Sequence, residues 1–186
     1  MSQSRVIALV GSLRAESVNR RLAETASLVA PEGVDVVVFD GLGDIPFYNE
    51  DIDVPGTIDS VDKLRTADGD ADALLLITPE YNGTIPAVLK NAIDWLSRPY
   101  GAGAISGKPT AVISSSPSGN AGKWSQADTV KAATVAGGAV VEEAHLAIGG
   151  IGAKFGDRHP RENAEVSGDI AKVVSALVGA GTVAAA

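Results

Sequence analysis

Four stretches of this chain are nearly continuous apolar runs rich in Val, Ile and Leu: residues 5–10, 34–39, 73–77 and 110–114. A strand with one wet face alternates apolar and polar side chains. An unbroken run needs cover on both faces. These runs therefore read as parallel strands inside a sheet shielded by helices. A weaker run near residues 139–141 supplies a fifth strand. Between them, apolar positions recur at helical spacing: Val18, Leu22, Ala26, Val29; then Ile85, Val88, Leu89, Ala92, Leu96; then Val166, Ile170, Val173, Val174, Leu177. Ile58, Val61 and Leu64 predict a shorter helix with Thr57 as its N-cap. After Asn120, Ala and Gly dominate and no single helical face stands out.

Strands alternating with helices imply βαβ units with right-handed crossovers. The expected architecture is α/β, a three-layer doubly wound sheet of five parallel strands, for which 2-1-3-4-5 is one of two common orders. No internal repeat is visible, and residues 1–186 read as one domain. The end, VGAGTVAAA, reads as a tail that frays from about residue 180. The connection 41–56 is long and irregular, and Ile45, Phe47 and Tyr48 argue that it packs on something.

Composition narrows the function. At 186 residues and 45% hydrophobic, the chain can bury a substantial core. No apolar run reaches the roughly 18 residues a membrane span needs, and the first residues lack the form of a signal peptide. Cysteine is absent, which excludes disulfides, thiolate metal sites and cysteine nucleophiles. A cytoplasmic location is the expectation. The net charge of −8, with no basic face, excludes non-specific nucleic-acid binding. It does not exclude an anionic ligand, because charges beyond about 8 Å are screened and a few local donors outweigh the global sign.

Three loops carry the candidate chemistry. GSLRAESVN (11–19) follows the first strand and opens a helix, offering Ser12 and Ser17 hydroxyls, the Asn19 amide, the Arg14 guanidinium and unpaired helix N–H groups. That set makes a phosphate cradle; the plainer alternative is capping by Ser17 beside a surface Arg. Neither a Walker loop nor a G-x-G-x-x-G fingerprint is present. PEYNG, from Pro79 through Glu80, Tyr81 and Asn82 to Gly83, ends the third strand. It can turn main-chain N–H groups toward a flat ligand, or it is only an Asn-Gly turn. SSSPSGNAG (114–122) follows the fourth strand, and its small residues Ser116, Ser118 and Gly119 suit close backbone approach, or plain flexibility. In the order 2-1-3-4-5 the ends of strands 1 and 3 form the topological switch point. Loops one and two then face one crevice, with loop three on its border. This geometry favours a mononucleotide-like ligand with a phosphate at one end and a planar ring at the other.

The same residues resemble a known family. GSLRAESVNRRLA is similar to the G-S-x-R-x-x-S-x-N-x-x-L-A element of the NADPH-dependent FMN reductases. TPEYNGTIPAVLKNAIDWLSRP resembles that family's P-E-Y-N-G-S-x-P-x-x-L-K-N-A-I-D-W-x-S-R-P, and DIPFYNED its L-P-x-Y-N-x-D. The resemblance extends to about Gly150. After the fourth strand it weakens, with Lys123-Trp124 where relatives carry a small residue and Arg.

The resemblance implies a flavodoxin-like fold, FMN as cofactor and NADPH (or NADH) as co-substrate. It implies ping-pong hydride transfer to flavin N5 and then to a small-molecule acceptor such as a quinone, free flavin, azo dye or metal oxyanion. Carried over, Ser12, Arg14, Ser17 and Asn19 hold the phosphate, Pro79, Glu80, Tyr81, Asn82 and Gly83 line the isoalloxazine, and Ser116, Ser118 and Gly119 approach it. No side chain is required as acid or base, although Tyr81 is placed to shape the acceptor face. The alternatives are a non-enzymatic FMN protein, either electron carrier or redox sensor, and a nucleotide-binding domain without flavin. No metal is expected, because His145 and His159 lack partners at ligand spacing and read as structural. GIGAKFG (150–156) reads as a loop. Lys90 and Asp94 lie four apart on the outer side of the third helix, and Trp95 on its flank suggests a subunit interface. A homodimer or homotetramer is expected.

Overall fold

The apolar runs form a five-stranded, all-parallel sheet in the order β2-β1-β3-β4-β5. The computed structural model describes residues 3–184. The strands are β1 (Ser4–Val10), β2 (Val34–Val38), β3 (Ala73–Pro79), β4 (Pro109–Ser115) and β5 (Ala139–Ile148). The helices are α1 (Val18–Val29), α2 (Asp59–Gly69), α3 (Ala87–Leu96), α4 (Lys123–Val135), α5 (Ile151–Phe155) and α6 (Ala164–Ala184). Successive strand residues point to opposite faces. Val6, Ala8, Leu75, Ile77, Ala111 and Ile113 meet Leu22 and Ala26 of α1 and Ile170, Val174 and Leu177 of α6 on one side. Ile7, Leu9, Leu74, Leu76 and Val112 meet Leu64 of α2, Leu89 and Ile93 of α3 and Ala133 of α4 on the other. No helix among the described residues is long and apolar enough to cross a membrane.

Several local expectations need correction. β5 is far longer than residues 139–141, because its register with β4 shifts between Thr110 and Val112. At that irregularity the Val112 N–H donates to Nδ1 of His145, 3.1 Å away, and Gln126 Nε2 donates to the Leu146 carbonyl at 2.9 Å. His145 is structural, and burial lowers its pKa below the usual histidine value. The segment 150–156 is not a loop. β5 runs to Ile148, so α5 does follow a strand, anchored by the buried Phe155. The tail expected to fray continues as helix to Ala184, with Val178 and Ala180 packed against the core; the last two residues lie outside the described range. Thr57 does not cap α2, whose N-cap is Ile58; the Thr57 hydroxyl turns back to the Val54 carbonyl at 2.6 Å. α4 lacks an apolar stripe because it lays Ser125, Thr129 and Ala133 against the sheet. Their hydroxyls donate to the Gly122 and Ser125 carbonyls of the same helical region, so burying them leaves nothing unpaired.

Trp95 is also corrected. Its side chain is completely buried within the chain and offers no interface. Its indole N–H donates to the Pro46 carbonyl at 2.8 Å. One helical turn earlier, Asn91 Nδ2 donates to the Pro46 carbonyl at 2.9 Å, and Asn91 Oδ1 accepts from Tyr48 N at 2.8 Å. Two side chains four residues apart on α3 thus grip the long connection between β2 and α2. Arg65 of α2 completes the clamp, reaching the Trp95 carbonyl and holding Asp53 through both guanidinium nitrogens at 2.8 and 2.9 Å. Asn91→Ala leaves the Tyr48 N–H and the Ile45 carbonyl without partners, each costing about 1–3 kcal/mol, while the Pro46 carbonyl keeps the Trp95 indole. Urea unfolding should show a loss of about 2–4 kcal/mol, and a wild-type midpoint would refute the clamp.

The Asp68 carboxylate, at the end of α2, is fully buried, and neither oxygen has a hydrogen-bond partner among the described residues. The nearby Lys108 ammonium donates to the Asp68 and Ala71 carbonyls instead. Burial pushes the Asp68 carboxyl up from 3.8 to about 6, with the Lys108 charge opposing. The folded state therefore holds this proton more tightly than the unfolded chain. The stabilisation is complete below about pH 4 and is lost as pH rises through about 6, a swing of about 3 kcal/mol. Asp68→Asn should flatten the stability profile between about pH 4 and 7; an unaltered slope in urea midpoints across that range would overturn the assignment.

Candidate functional site

Since β1, β3 and β4 are neighbours, the loops that leave their C-terminal ends share one edge of the sheet. Loop one lies between β1 and α1. Ser17 is the N-cap of α1 and only 2% exposed, yet its hydroxyl makes no cap bond. The first turn of α1 carries no acidic residue. Among the described residues, Arg14 and the Ser12 hydroxyl have no hydrogen-bond or ion-pair partner, whereas Arg20 pairs with Asp40 and Glu24, and Arg21 with Glu16. The positive end of α1 is thus left without an internal anion, beside an uncommitted guanidinium and two free hydroxyls. An outside anion fits this donor set. A cavity of about 430 Å³ opens against Ser12, Arg14 and Ala15 on the side of β2, lined also by Arg20, Glu24 and Asp40 and not by Ser17 or Asn19. Asn19 is buried, and its Oδ1 accepts from Ser115 Oγ at 3.0 Å, which ties loop one to the end of β4.

Loop two begins where Pro79 ends β3. Asn82 and Gly83 both adopt positive φ, 52° and 77°. Tyr81 and Thr84 exchange main-chain hydrogen bonds at 3.3 and 3.2 Å across them. Two successive left-handed residues make a tight reverse turn of the hairpin kind, which is why Asn-Gly stands there. Within the described chain, the main-chain N–H groups of Glu80, Asn82 and Gly83 donate to nothing, so they are available to a ligand. Tyr81 is 46% exposed and lines a second cavity of about 580 Å³ with Leu13, Arg14, Phe47 and Pro86. The Glu80 carboxylate is used internally. One oxygen accepts from Trp124 N at 3.0 Å and Ser125 N at 3.2 Å, capping the start of α4 from another loop. Thr84 Oγ1 adds a 2.5 Å bond to Asp128 on the same helix.

Loop three is drawn together by the Ser116 and Ser118 hydroxyls, 3.0 Å apart, and by the Ser118 N–H on Ser116 Oγ. Its outer side is stitched to the segment after β5, since the Ser118 carbonyl accepts from Gly150 N. Open space surrounds Gly119. Asn120 Nδ2 is buried with no partner among the described residues, an orphan donor at the same sheet edge. No group of His, Cys, Asp or Glu among the described residues forms a metal site.

The expected site residues therefore gather on three adjoining loops, except that the Glu80 carboxylate is turned into α4. Sequence reading missed the links between these loops: Asn19 to Ser115, Glu80 to α4 and Thr84 to Asp128. None has a local sequence signal, because the partners lie 96, 44 and 44 residues apart. Glu80→Ala removes a charged cap, and thermal melts should show a loss of about 1–2 kcal/mol; wild-type stability would deny the carboxylate that role.

Comparison with known proteins agrees with this geometry. The model of the NADPH-dependent FMN reductase family matches residues 4–152. A quinone reductase of Pseudomonas putida is 48% identical over 112 residues, covering 60% of each chain. A 2-hydroxy-1,4-benzoquinone reductase of a Burkholderia species is 40% identical over 112 residues, again 60% of each. The chain thus spans about 60% of the length of the curated relatives it matches. The solved structure of FerB, a flavoenzyme NAD(P)H:(acceptor) oxidoreductase from Paracoccus denitrificans, superposes with a TM-score of 0.80 at 31% identity, covering 95% of this chain and 98% of that one. With its flavodoxin-like sheet order, its anion-ready first loop and its PEYNG turn, the chain belongs to the NADPH-dependent FMN reductase family.

Proposed function

We propose that this chain is an FMN-dependent NAD(P)H oxidoreductase that passes electrons to a small-molecule acceptor of the quinone type. The observation that carries the reading is the uncommitted donor set at the start of α1, beside a turn in which the Glu80, Asn82 and Gly83 N–H groups are also unspent. Ser12, Arg14, Ser17 and Asn19 would hold the FMN phosphate. Pro79, Glu80, Tyr81, Asn82 and Gly83 would line the isoalloxazine, Glu80 through its main chain. Ser116, Ser118 and Gly119 would close the third side, where the Asn120 amide supplies a further donor. The reading treats residues 1–186 as one cofactor-binding domain.

Bound FMN supplies a two-electron centre that takes hydride from a nicotinamide and gives up its electrons to an acceptor. Overall, NAD(P)H, a proton and a quinone yield NAD(P)⁺ and a hydroquinone. The protein contributes position and electrostatics. Fixed N–H donors of the 80–83 turn favour negative charge on a neighbouring ring, and they need no reorganisation because the turn is closed by its own hydrogen bonds. Donor and acceptor use one opening in turn, a ping-pong order that also admits free flavins, azo dyes or metal oxyanions. The exposed Leu13 and Phe47 beside the second cavity support a homo-oligomer, either dimer or tetramer. A strict monomer at micromolar concentration in light scattering would remove that part.

A paired titration tests the phosphate role. Arg14→Ala should weaken FMN binding by about tenfold or more, as expected for a lost charge-assisted bond, and leave riboflavin affinity unchanged. Equal losses for both ligands would reject it. Flavin-loaded protein mixed anaerobically with NADPH and then NADH should lose its oxidised absorbance with at least one of them; flavin that stays oxidised with both would reject the reductase reading.

A further inference from the structure

Lys123-Trp124, at the start of α4, stands at the sheet edge that the three loops share. Gly122 places it there. Its φ is +72°, and an added side-chain carbon would lie 3.3 Å from both Ser114 Cβ and the Ser115 carbonyl. The first turn of α4 is thereby seated against the C-terminal end of β4. Trp124 is the second residue of α4, and its main-chain N–H is fixed by Glu80. Its ring lies along loop two, since a side-chain carbon on Gly83 would be 3.4 Å from Trp124 Cε3. Nevertheless Trp124 as a residue is 63% exposed, while the chain's other tryptophan, Trp95, is fully buried. A large aromatic anchored at its base and against a glycine, with most of its surface open, is built to receive a flat partner. The charges beside it are mostly negative: Glu80 and Asp128 stand against Lys123.

We propose that Trp124 is a specificity-determining residue for the electron acceptor: its indole stacks on planar, uncharged acceptors such as quinones, and the carboxylates beside it disfavour oxyanions. This inference rests on the reductase reading above. It narrows the acceptors that reading admits, and it assigns the selection to a side chain held by loop two rather than to the cofactor.

The test uses FMN-loaded protein in the oxidised state without nicotinamide, titrated with 1,4-naphthoquinone and followed by tryptophan fluorescence and flavin absorbance. Trp124→Ala should weaken quinone binding about three- to tenfold, the range of one aromatic pair, whereas Trp124→Phe should stay within about twofold. In turnover, Trp124→Ala should raise KM for the quinone more than it lowers kcat, and Trp124→Arg should lower KM for chromate. Unchanged quinone affinity in Trp124→Ala, with FMN still bound, overturns the proposal while leaving the reductase reading intact. If Trp124→Ala loses FMN, the Phe and Arg variants decide, and equal quinone affinity in those two overturns it. A wild-type protein that takes up no FMN overturns both.

Discussion

Side chains of β1, β3 and β4 are buried on both faces of the sheet, so these strands present nothing to a ligand until they end. That constraint governs the molecule. Polar chemistry is expelled to the loops, and the order β2-β1-β3-β4-β5 gathers three of those loops at one edge. The apolar core therefore does more than stabilise the fold. It decides where donors can collect, and it keeps the strand ends rigid enough for loops of few residues to hold their shape.

Polar bonds between distant segments then fix the loops. Asn91 and Trp95 lie on the inner side of α3 and hold the connection 41–56 through its main chain. Glu80 and Thr84 reach from loop two to α4, and Asn19 reaches from α1 to β4. These bonds tie the loops to elements packed on the sheet, and where the partners are buried, as at Asn91 and at Asn19, displacing the segment would leave a polar group unpaired. By contrast, Arg14, the Ser12 and Ser17 hydroxyls and the N–H groups of Glu80, Asn82 and Gly83 are satisfied by nothing within the described chain. The division is informative: at the start of α1 and in the 80–83 turn most donors are free, whereas Asn19, Ser116 and Ser118 are already bonded within the loops they shape.

The apolar periodicity carried the strand count, most helices and the identity of the three loops; the sheet order was one of two common solutions until the strands paired. It failed where side-chain chemistry replaces hydrophobicity. Ser125 and Thr129 bury hydroxyls that bond their own helix, so α4 shows no apolar stripe. The bulge before His145 interrupts β5 with Glu142 and Glu143, and only a sheet to pair with makes Ala139–Ile148 one strand. Trp95 looked like a surface residue because helical spacing alone cannot tell solvent from the loop 41–56 folded over it.

What the sequence determined by itself was everything set by local pattern: runs that demand two-sided burial, a Ser-rich loop opening a helix, and an Asn-Gly pair suited to left-handed backbone. What only the tertiary structure decided was which polar groups remain free. Glu80 and Arg14 look equally available in a linear chain, yet the start of α4 claims the carboxylate and nothing claims the guanidinium. The reason is physical. Hydrogen bonding is short-ranged and directional, so partners separated by 44 or 96 residues are chosen by the packing of the sheet and not by spacing along the chain.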